Sequence, residues 1–314
     1  MDERLDPDMR AAKKLMDEAA ARMPPISLML PIDASRMIND ELLLPLAQGG
    51  PNMHETREIW VSAQGRRILC RLHRPIDALN LPVLVWFHGG GWVFSSIDTH
   101  DRLVRDLAAA GNVATINVDY SLSPEAKFPR AVLEAADVVR QIAVHARAWG
   151  LNPDRIAIGG DSAGGNLALG AAMLLRDTNG PMLSALLTAY PVTDAACDSP
   201  TYQEFAEGYG LTRAGMVAYW ECYLANQADR LNPIASPLRG DCAGLPPSYV
   251  FVAELDVLRD EGIAMAKKLE AAGVETVLDI CPGMLHGFAR LTEHVGVARA
   301  VIARAGAWLA GVLA

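Results

Sequence analysis

The sequence predicts an α/β protein whose mostly parallel sheet is flanked by helices. Apolar segments of strand length alternate along the chain with longer helical segments, which is the pattern of such a sheet. Two glycine-rich segments directly follow predicted strands, at the edge where open α/β sheets bind ligands. A chain of 314 residues is long enough to bury a large core without disulfides or metal.

The composition is that of a globular protein, and it limits the classes of partner. Hydrophobic residues make up 51% of the chain, charged residues 21%, and the net charge is −9. We therefore do not expect binding to nucleic acid or to an anionic membrane, whereas a small neutral ligand is compatible with this charge. The five cysteines are never spaced as C-x-x-C, so we expect free thiols, no disulfide framework and no metal site.

Neither end of the chain has the pattern of a targeting segment or a membrane span. The first residues are acidic, and the apolar segment 295–314 is interrupted by Arg299 and Arg304. We expect a cytoplasmic protein whose last helix packs on the core. That helix and the last strand also form a candidate homodimer interface.

Short apolar or alternating segments predict the strands. The segments 58–63 and 67–73 predict a hairpin around Gln64 and Gly65. Further strands are predicted at 83–87, 113–118, 155–158, 185–189, 249–253 and 275–280. Helices are predicted at 9–23, 98–110, 129–149, 163–176, 260–272 and 293–313.

A serine occupies the turn between a predicted strand and a predicted helix. Residues 160–165 read GDSAGG, which fits the pattern G-x-S-x-G, and Ser162 lies between strand 155–158 and helix 163–176. A serine on such a sharp turn exposes its hydroxyl at the end of the sheet. A plain glycine-rich turn shares the five-residue pattern, but the flanking elements favour a nucleophile.

A run of three glycines follows the apolar strand 83–87. Residues 88–91 read HGGG, and consecutive glycines leave main-chain N–H groups accessible. Such donors stabilise a developing oxyanion, each contributing on the order of 10²–10³ in rate. The spacing fits neither G-x-G-x-x-G nor a P-loop, which argues against a nucleotide site. His88 is expected to shape the run by hydrogen bonding.

An acid and a histidine complete the candidate set. Asp256 lies in the turn after strand 249–253, whereas Glu254, the weaker candidate, is still at the strand end. His286 follows the last strand and precedes the last helix, where a histidine can act as a general base. The order Ser162, Asp256, His286 is that of α/β-hydrolase triads, and each residue follows a strand.

These motifs resemble those of the hormone-sensitive lipase-like esterases, known in bacteria as family IV. The resemblance extends from about residue 81 to 290 and includes, besides the motifs above, VDYSLSPE at 118–125, YP at 190–191, DVLRDEG at 256–262 and HGF at 286–288. It implies an α/β-hydrolase fold with an eight-stranded sheet and a helical cap. It also implies hydrolysis of a small-molecule ester with a short acyl chain.

The resemblance implies an acyl-enzyme mechanism without metal or organic cofactor. Ser162 is the expected nucleophile, His286 the base, and Asp256 the residue that orients the imidazole. The oxyanion is expected to be held by the N–H groups of Gly89, Gly90 and Ala163. An amidase or lactonase could use the same triad. A non-catalytic receptor could share the fold, although such receptors usually lack a triad residue.

If the chain has the helical cap of this family, it should divide into cap segments and a catalytic domain. We expect N-terminal cap helices at 1–48, a catalytic domain at 49–194 and 232–314, and a cap insertion at 195–231, which is rich in aromatic residues and lacks a strand pattern. The candidate substrate-pocket residues are Trp92, Phe94, Phe205, Tyr209, Leu211 and Leu285. For each of them, packing in the core is an equally good explanation.

Overall fold

The computed structural model describes residues 2–29 and 31–314 and contains an eight-stranded sheet. The strands are β1 (Glu55–Ala63), β2 (Arg66–Arg74), β3 (Leu81–Phe87), β4 (Ala114–Val118), β5 (Leu151–Asp161), β6 (Ala185–Ala189), β7 (Ser248–Leu255) and β8 (Thr276–Leu285). The α-helices are α1 (Pro7–Ala20), α2 (Asp33–Leu43), α3 (Asp101–Gly111), α4 (Arg130–His145), α5 (Ala163–Asp177), α6 (Thr201–Glu204), α7 (Arg213–Tyr223), α8 (Arg259–Ala271) and α9 (Gly296–Val312).

The sheet is mostly parallel, which confirms the predicted fold class. Its strand order is β1-β2-β4-β3-β5-β6-β7-β8. β1 and β2 form the predicted antiparallel hairpin, whose turn residues Gln64 and Gly65 both have positive φ, as tight hairpin turns require. β2 also runs antiparallel to β4, and all later neighbours are parallel.

Helices cover both faces of the sheet, which explains the continuous apolar strands. Every residue of β4 and β6 is buried. On the two sides, α3 packs on α9 and α4 packs on α5. No helix within the described ranges has both the length and the apolar character needed to cross a bilayer. The homodimer interface at α9 and β8 stays a prediction.

The last strand is longer than its sequence indicates. The predicted strand 275–280 stops before Pro282 and Gly283, residue types that usually favour turns, yet β8 continues to Leu285. Leu285 pairs with Leu255 of β7 beyond an irregularity in the register. As a result, the strand delivers His286 directly to the carboxyl edge of the sheet, next to the turn after β7.

Candidate active site

Ser162 stands at the sharp turn that joins β5 to α5. Its φ of 55° and ψ of −120° lie in a region that non-glycine residues rarely adopt. Main-chain bonds hold this conformation: the Ser162 N–H donates to the Ala189 carbonyl at 2.8 Å, and its own carbonyl accepts from Val192 at 3.2 Å. The loop after β6 therefore fixes the backbone of the candidate nucleophile.

The small residues of the GDSAGG segment are required by close packing. A Cβ atom on Gly164 would overlap the carbonyl oxygen of Phe87, and one on Gly160 would overlap the main chain of Gly164. The first turn of α5 therefore lies directly against the end of β3. This contact places Ser162 beside the glycine run that follows β3.

His286 connects Ser162 to Asp256. Its Nε2 lies 2.9 Å from Ser162 Oγ, and its Nδ1 lies 2.7 Å from Asp256 Oδ2. An ionised carboxylate can only accept, so Nδ1 carries the proton and Nε2 is left to accept from the serine hydroxyl. Asp256 is buried, and its other oxygen accepts the N–H of Leu258 at 3.1 Å. Glu254 instead accepts the N–H of Gly283 at 2.8 Å.

The structure corrects one of the predicted oxyanion donors. The N–H of Gly89 donates to Asp161 Oδ1 at 3.0 Å, so it is not available to a substrate oxygen. Gly90 and Gly91 line the cavity beside Ser162, with φ of 120° and 62°. In the part of the chain that the structure describes, the N–H groups of Gly90, Gly91 and Ala163 donate to no protein acceptor. These three are the candidate donors.

Asp161 belongs to a buried polar cluster under the glycine run. Its Oδ1 also accepts from Trp86 Nε1 at 3.3 Å, and its Oδ2 lies 3.2 Å from His100 Nε2. Burial by itself raises the pKa of Asp161, but the charge and hydrogen bond of His100, together with the charge of Arg290, outweigh it and lower the pKa to about 2. An ionised carboxylate therefore lies next to Ser162. The GDSAGG motif alone did not show that Asp161 takes part in this buried hydrogen-bond cluster.

His88 shapes the start of the glycine run through its ring and its carbonyl. Burial, with a contribution from the charge of His100, lowers the pKa of His88 to about 3, so the imidazole is neutral. Its Nδ1 lies 2.8 Å from the Gly89 carbonyl and donates to it, and the His88 carbonyl accepts the Tyr120 hydroxyl at 2.7 Å. These bonds agree with the role expected from the sequence.

Ser162 and His286 open into a cavity of about 340 Å³. The apolar part of its wall is formed by Met16, Leu43, Phe94, Leu211, Met216 and Tyr219. The polar part of the wall, besides Ser162 and His286, is formed by Asn39, Ser95, His100, Asp161, Thr212 and Arg290. Phe94 and Leu211 were predicted as pocket residues. The residues from α1 and α2 were missed, because an amphipathic pattern shows that a helix buries one face but not what that face covers.

The other four predicted pocket residues lie outside this cavity. Trp92 and Phe205 are fully buried. Trp92 stacks on Tyr223 with ring centroids 4.3 Å apart and thereby joins the glycine loop to α7. Tyr209 and Leu285 line a neighbouring cleft next to α1. Leu285 is the last residue of β8, and its side chain lines this cleft rather than the catalytic cavity.

The described residues contain no group of three or more His, Cys, Asp or Glu side chains that could hold a metal. The residues gathered around Ser162 supply a hydroxyl, an imidazole, a carboxylate and main-chain amides. This set can carry out nucleophilic acyl transfer, with the serine as the attacking group and the amides around the carbonyl oxygen.

Comparison with known proteins also indicates a hydrolase. A family model described as alpha/beta hydrolase fold matches residues 84–290. Ethyl acetate hydrolase from Pseudomonas putida is 34% identical over 296 residues, which cover 91% of this chain and 92% of that protein. Arylesterase from Saccharolobus solfataricus is 34% identical over 251 residues, covering 79% and 81% of the two chains.

Solved structures are similar over the whole length. A thermostable esterase from Pseudomonas putida ECU1011 matches with a TM-score of 0.93 and 33% identity, covering 100% of this chain and 99% of that one. An esterase from the archaeon Pyrobaculum calidifontis matches with a TM-score of 0.91 and 31% identity, covering 99% of both. The chain belongs to the α/β-hydrolase fold family and is a serine carboxylester hydrolase of the hormone-sensitive lipase-like group.

Proposed function

We propose that the protein hydrolyses carboxylic esters with short acyl chains and uses Ser162 as the nucleophile. The observation that carries this proposal is the hydrogen-bonded series from Ser162 through His286 to the buried Asp256, in the wall of a cavity. The strained turn at Ser162 supports it further, because such strain is typical of functional sites.

In the acylation step, Ser162 Oγ attacks the ester carbonyl carbon while its proton moves to His286 Nε2. Asp256 holds the imidazole through Nδ1 and stabilises its charged form. The carbonyl oxygen becomes an oxyanion and receives hydrogen bonds from the N–H groups of Gly90, Gly91 and Ala163. The bond to the alcohol oxygen then breaks, and His286 returns the proton to the leaving alcohol.

In the deacylation step, water takes the place of the alcohol. His286 accepts a proton from the water as its oxygen attacks the acyl-serine carbonyl. The same main-chain donors hold the second oxyanion. The bond between the acyl group and Ser162 Oγ breaks, the serine regains its proton from His286, and the carboxylic acid leaves.

A limited cavity supports the preference for short acyl chains. Side chains from α1, α2 and the segment between β6 and β7 line its apolar side, and we propose that these parts form the cap. Arg36 of α2 donates to the carbonyls of Val93 and Ser123 at 3.0 and 2.9 Å and pairs with Glu125 at 2.7 Å, which fastens α2 to the loops below. The similarity to an ethyl acetate hydrolase also favours small acyl groups.

The test is a kcat/KM series on p-nitrophenyl esters of increasing acyl length. We expect a maximum at about two to six carbons and a decline of at least about tenfold beyond ten carbons. Ser162→Ala should lower kcat by about 10⁴- to 10⁶-fold with an unchanged circular dichroism spectrum. Ser184→Ala, at the opposite end of the sheet before β6, is the matched control. Full activity of Ser162→Ala would refute the choice of nucleophile.

A further inference from the structure

A cation stands in the wall of the catalytic cavity without a role in the mechanism above. Arg290 closes the short 3-10 turn Phe288–Arg290, which follows His286. It lines the cavity together with Ser162 and His286. Of the arginine and lysine residues in the described ranges, no other lines this cavity.

The guanidinium lies against the main chain of Gly287, the neighbour of the catalytic histidine. A Cβ atom on Gly287 would stand 3.1 Å from Arg290 Nη2. Gly287 has φ of 79°, and the Arg290 N–H donates to its carbonyl at 3.3 Å. The glycine therefore leaves room for the guanidinium at this position. Arg290 is placed by the same turn that places His286.

Arg290 has no counter-charge in direct contact. Within residues 2–29 and 31–314, no carboxylate oxygen lies within 4.0 Å of its guanidinium, and its buried Nε has no hydrogen-bond partner. Arg36 and Arg102, by contrast, pair with Glu125 at 2.7 Å and Glu293 at 2.6 Å. A half-buried cation without a partner costs free energy, and an anionic group of a ligand would remove that cost.

The carboxylate that shares the cavity wall, Asp161, is near enough for the charge of Arg290 to lower its pKa, but it forms no direct ion pair with the guanidinium and its oxygens have other donors. Asp161 Oδ1 accepts from Gly89 N–H and Trp86 Nε1, and its Oδ2 lies 3.2 Å from His100 Nε2. Asp161 is also almost completely buried. Arg290 therefore keeps a buried Nε without a protein partner in the wall of the cavity that the ester must enter to reach Ser162.

We propose that Arg290 binds a carboxylate of the substrate, so that the enzyme favours esters carrying one carboxylate over neutral esters of equal size. The proposal rests on ester hydrolysis at Ser162 and specifies its substrate class. A guanidinium suits this task because its planar donors can bind both oxygens of a carboxylate. The net charge of −9 disfavours anions near the protein, and a local cation offsets this effect at the site.

Two isosteric ester pairs test the proposal and show which half of the ester carries the carboxylate. In the first pair, ethyl hydrogen succinate has the carboxylate in the acyl half, and ethyl 4-oxopentanoate is its neutral analogue. In the second pair, acetoxyacetate has it in the alcohol half, and acetoxyacetone is neutral. Hydrolysis is followed by acid release. We expect the wild type to have a higher kcat/KM for the anionic member of at least one pair.

Variants of Arg290 separate substrate binding from support of the catalytic loop. Arg290→Gln should lower kcat/KM for the preferred anionic ester by about 10- to 100-fold, mainly through KM, and change the neutral analogue by less than about threefold. Arg290→Lys keeps the charge and should retain part of the preference. Arg147→Gln makes the same change in net charge at a side chain that is 74% exposed near the other end of the sheet, and it should leave the ratio unchanged.

The possible results distinguish a failure of the carboxylate site from a failure of the proposed ester hydrolysis. An anionic-to-neutral ratio that is the same in the wild type and Arg290→Gln overturns the carboxylate site, while turnover of neutral esters shows that ester hydrolysis stands. Equal losses on both members of each pair also overturn it, because Arg290 would then support the His286 turn. Absence of all ester turnover in the wild type contradicts the proposed function itself.

Discussion

The carboxylate of Asp161 accepts a hydrogen bond from the main-chain N–H of Gly89, with Oδ1 and the nitrogen 3.0 Å apart. This bond joins the residue before the nucleophile to the first glycine of the run after β3. The loop that carries Ser162 and the loop that carries the candidate oxyanion donors are therefore held as one unit. His100 Nε2 lies 3.2 Å from the other oxygen of Asp161, Oδ2.

Asp161→Asn should lower kcat by about tenfold while the protein stays folded, because the amide oxygen can still accept from Gly89 but the charge facing His100 is lost. The measurement is kcat on a short-chain p-nitrophenyl ester. Trp86→Phe removes the other donor to Asp161 Oδ1 and should have a smaller effect on kcat. A kcat of Asp161→Asn equal to that of the wild type would contradict the positioning role.

The same carboxylate should affect stability in acid. Although burial opposes it, His100 and the charge of Arg290 lower the pKa of Asp161 from 3.8 to about 2 in the folded protein. A lowered folded-state pKa stabilises the protein above pH 3.8, and this contribution is lost as the pH falls towards 2. Urea unfolding from neutral to acid pH should show a steeper loss for the wild type than for Asp161→Asn. Parallel curves would be inconsistent with this prediction.

Glu261 should have the opposite pH dependence. Burial raises the pKa of this carboxyl from 4.5 to about 8, even though the Thr193 N–H donates to it at 2.6 Å. The folded protein then holds a proton that the unfolded chain releases, so stability falls as the pH rises from 4.5 to 8. Glu261→Gln imitates the neutral acid and should remove this decline. Melting temperatures at mildly acidic and mildly basic pH test it, and an equal decline in both proteins would rule it out.

The two acids after β7 should differ in their contribution to catalysis. Asp256→Asn should lower kcat by about 10³- to 10⁴-fold, because an amide no longer fixes the imidazole with its proton on Nδ1. Glu254→Gln should change kcat by less than about fivefold, since its side chain binds Gly283 rather than His286. Steady-state kinetics on one ester compares them directly. A larger loss for Glu254→Gln would reverse the assignment.

The strand-to-helix turn should not tolerate a methyl group. Gly164→Ala places a Cβ atom on the Phe87 carbonyl oxygen, and we expect a loss of several kcal/mol or a failure to fold. Gly311→Ala in α9 is the control, because its Cβ would meet no atom within 4 Å. There the substitution should stabilise the helix by about 0.5–1 kcal/mol. Urea denaturation of both variants checks the difference, and a stable Gly164→Ala protein would contradict the packing described here.

Local sequence patterns were sufficient to predict the turn that carries Ser162 and the order of the three triad residues along the chain. Ser162, Asp256 and His286 each follow an apolar strand, and the carboxyl ends of parallel strands meet at one edge. The lengths of the strands were less predictable. The extension of β8 to Leu285 depends on pairing with β7, which overrides the turn signal of a proline and a glycine.

Features that depend on long-range contacts could not be read from the sequence. Three consecutive glycines do not show which N–H groups face a substrate, and the bond from Gly89 to Asp161 decides this in the structure. Aromatic residues near a motif pack in the core as readily as in a pocket, as Trp92 and Phe205 do. Arg290 gave no signal, because a lone arginine near the end of a motif is usually solvated.

The most direct test of the central claim is to label the protein with a fluorophosphonate and locate the adduct by peptide mass spectrometry. An activated serine attacks phosphorus and forms a stable bond, whereas an ordinary hydroxyl does not react. We expect one adduct, on Ser162, and a strong reduction of labelling in His286→Ala. An adduct on another residue, or labelling that is unaffected by the loss of His286, would contradict the account.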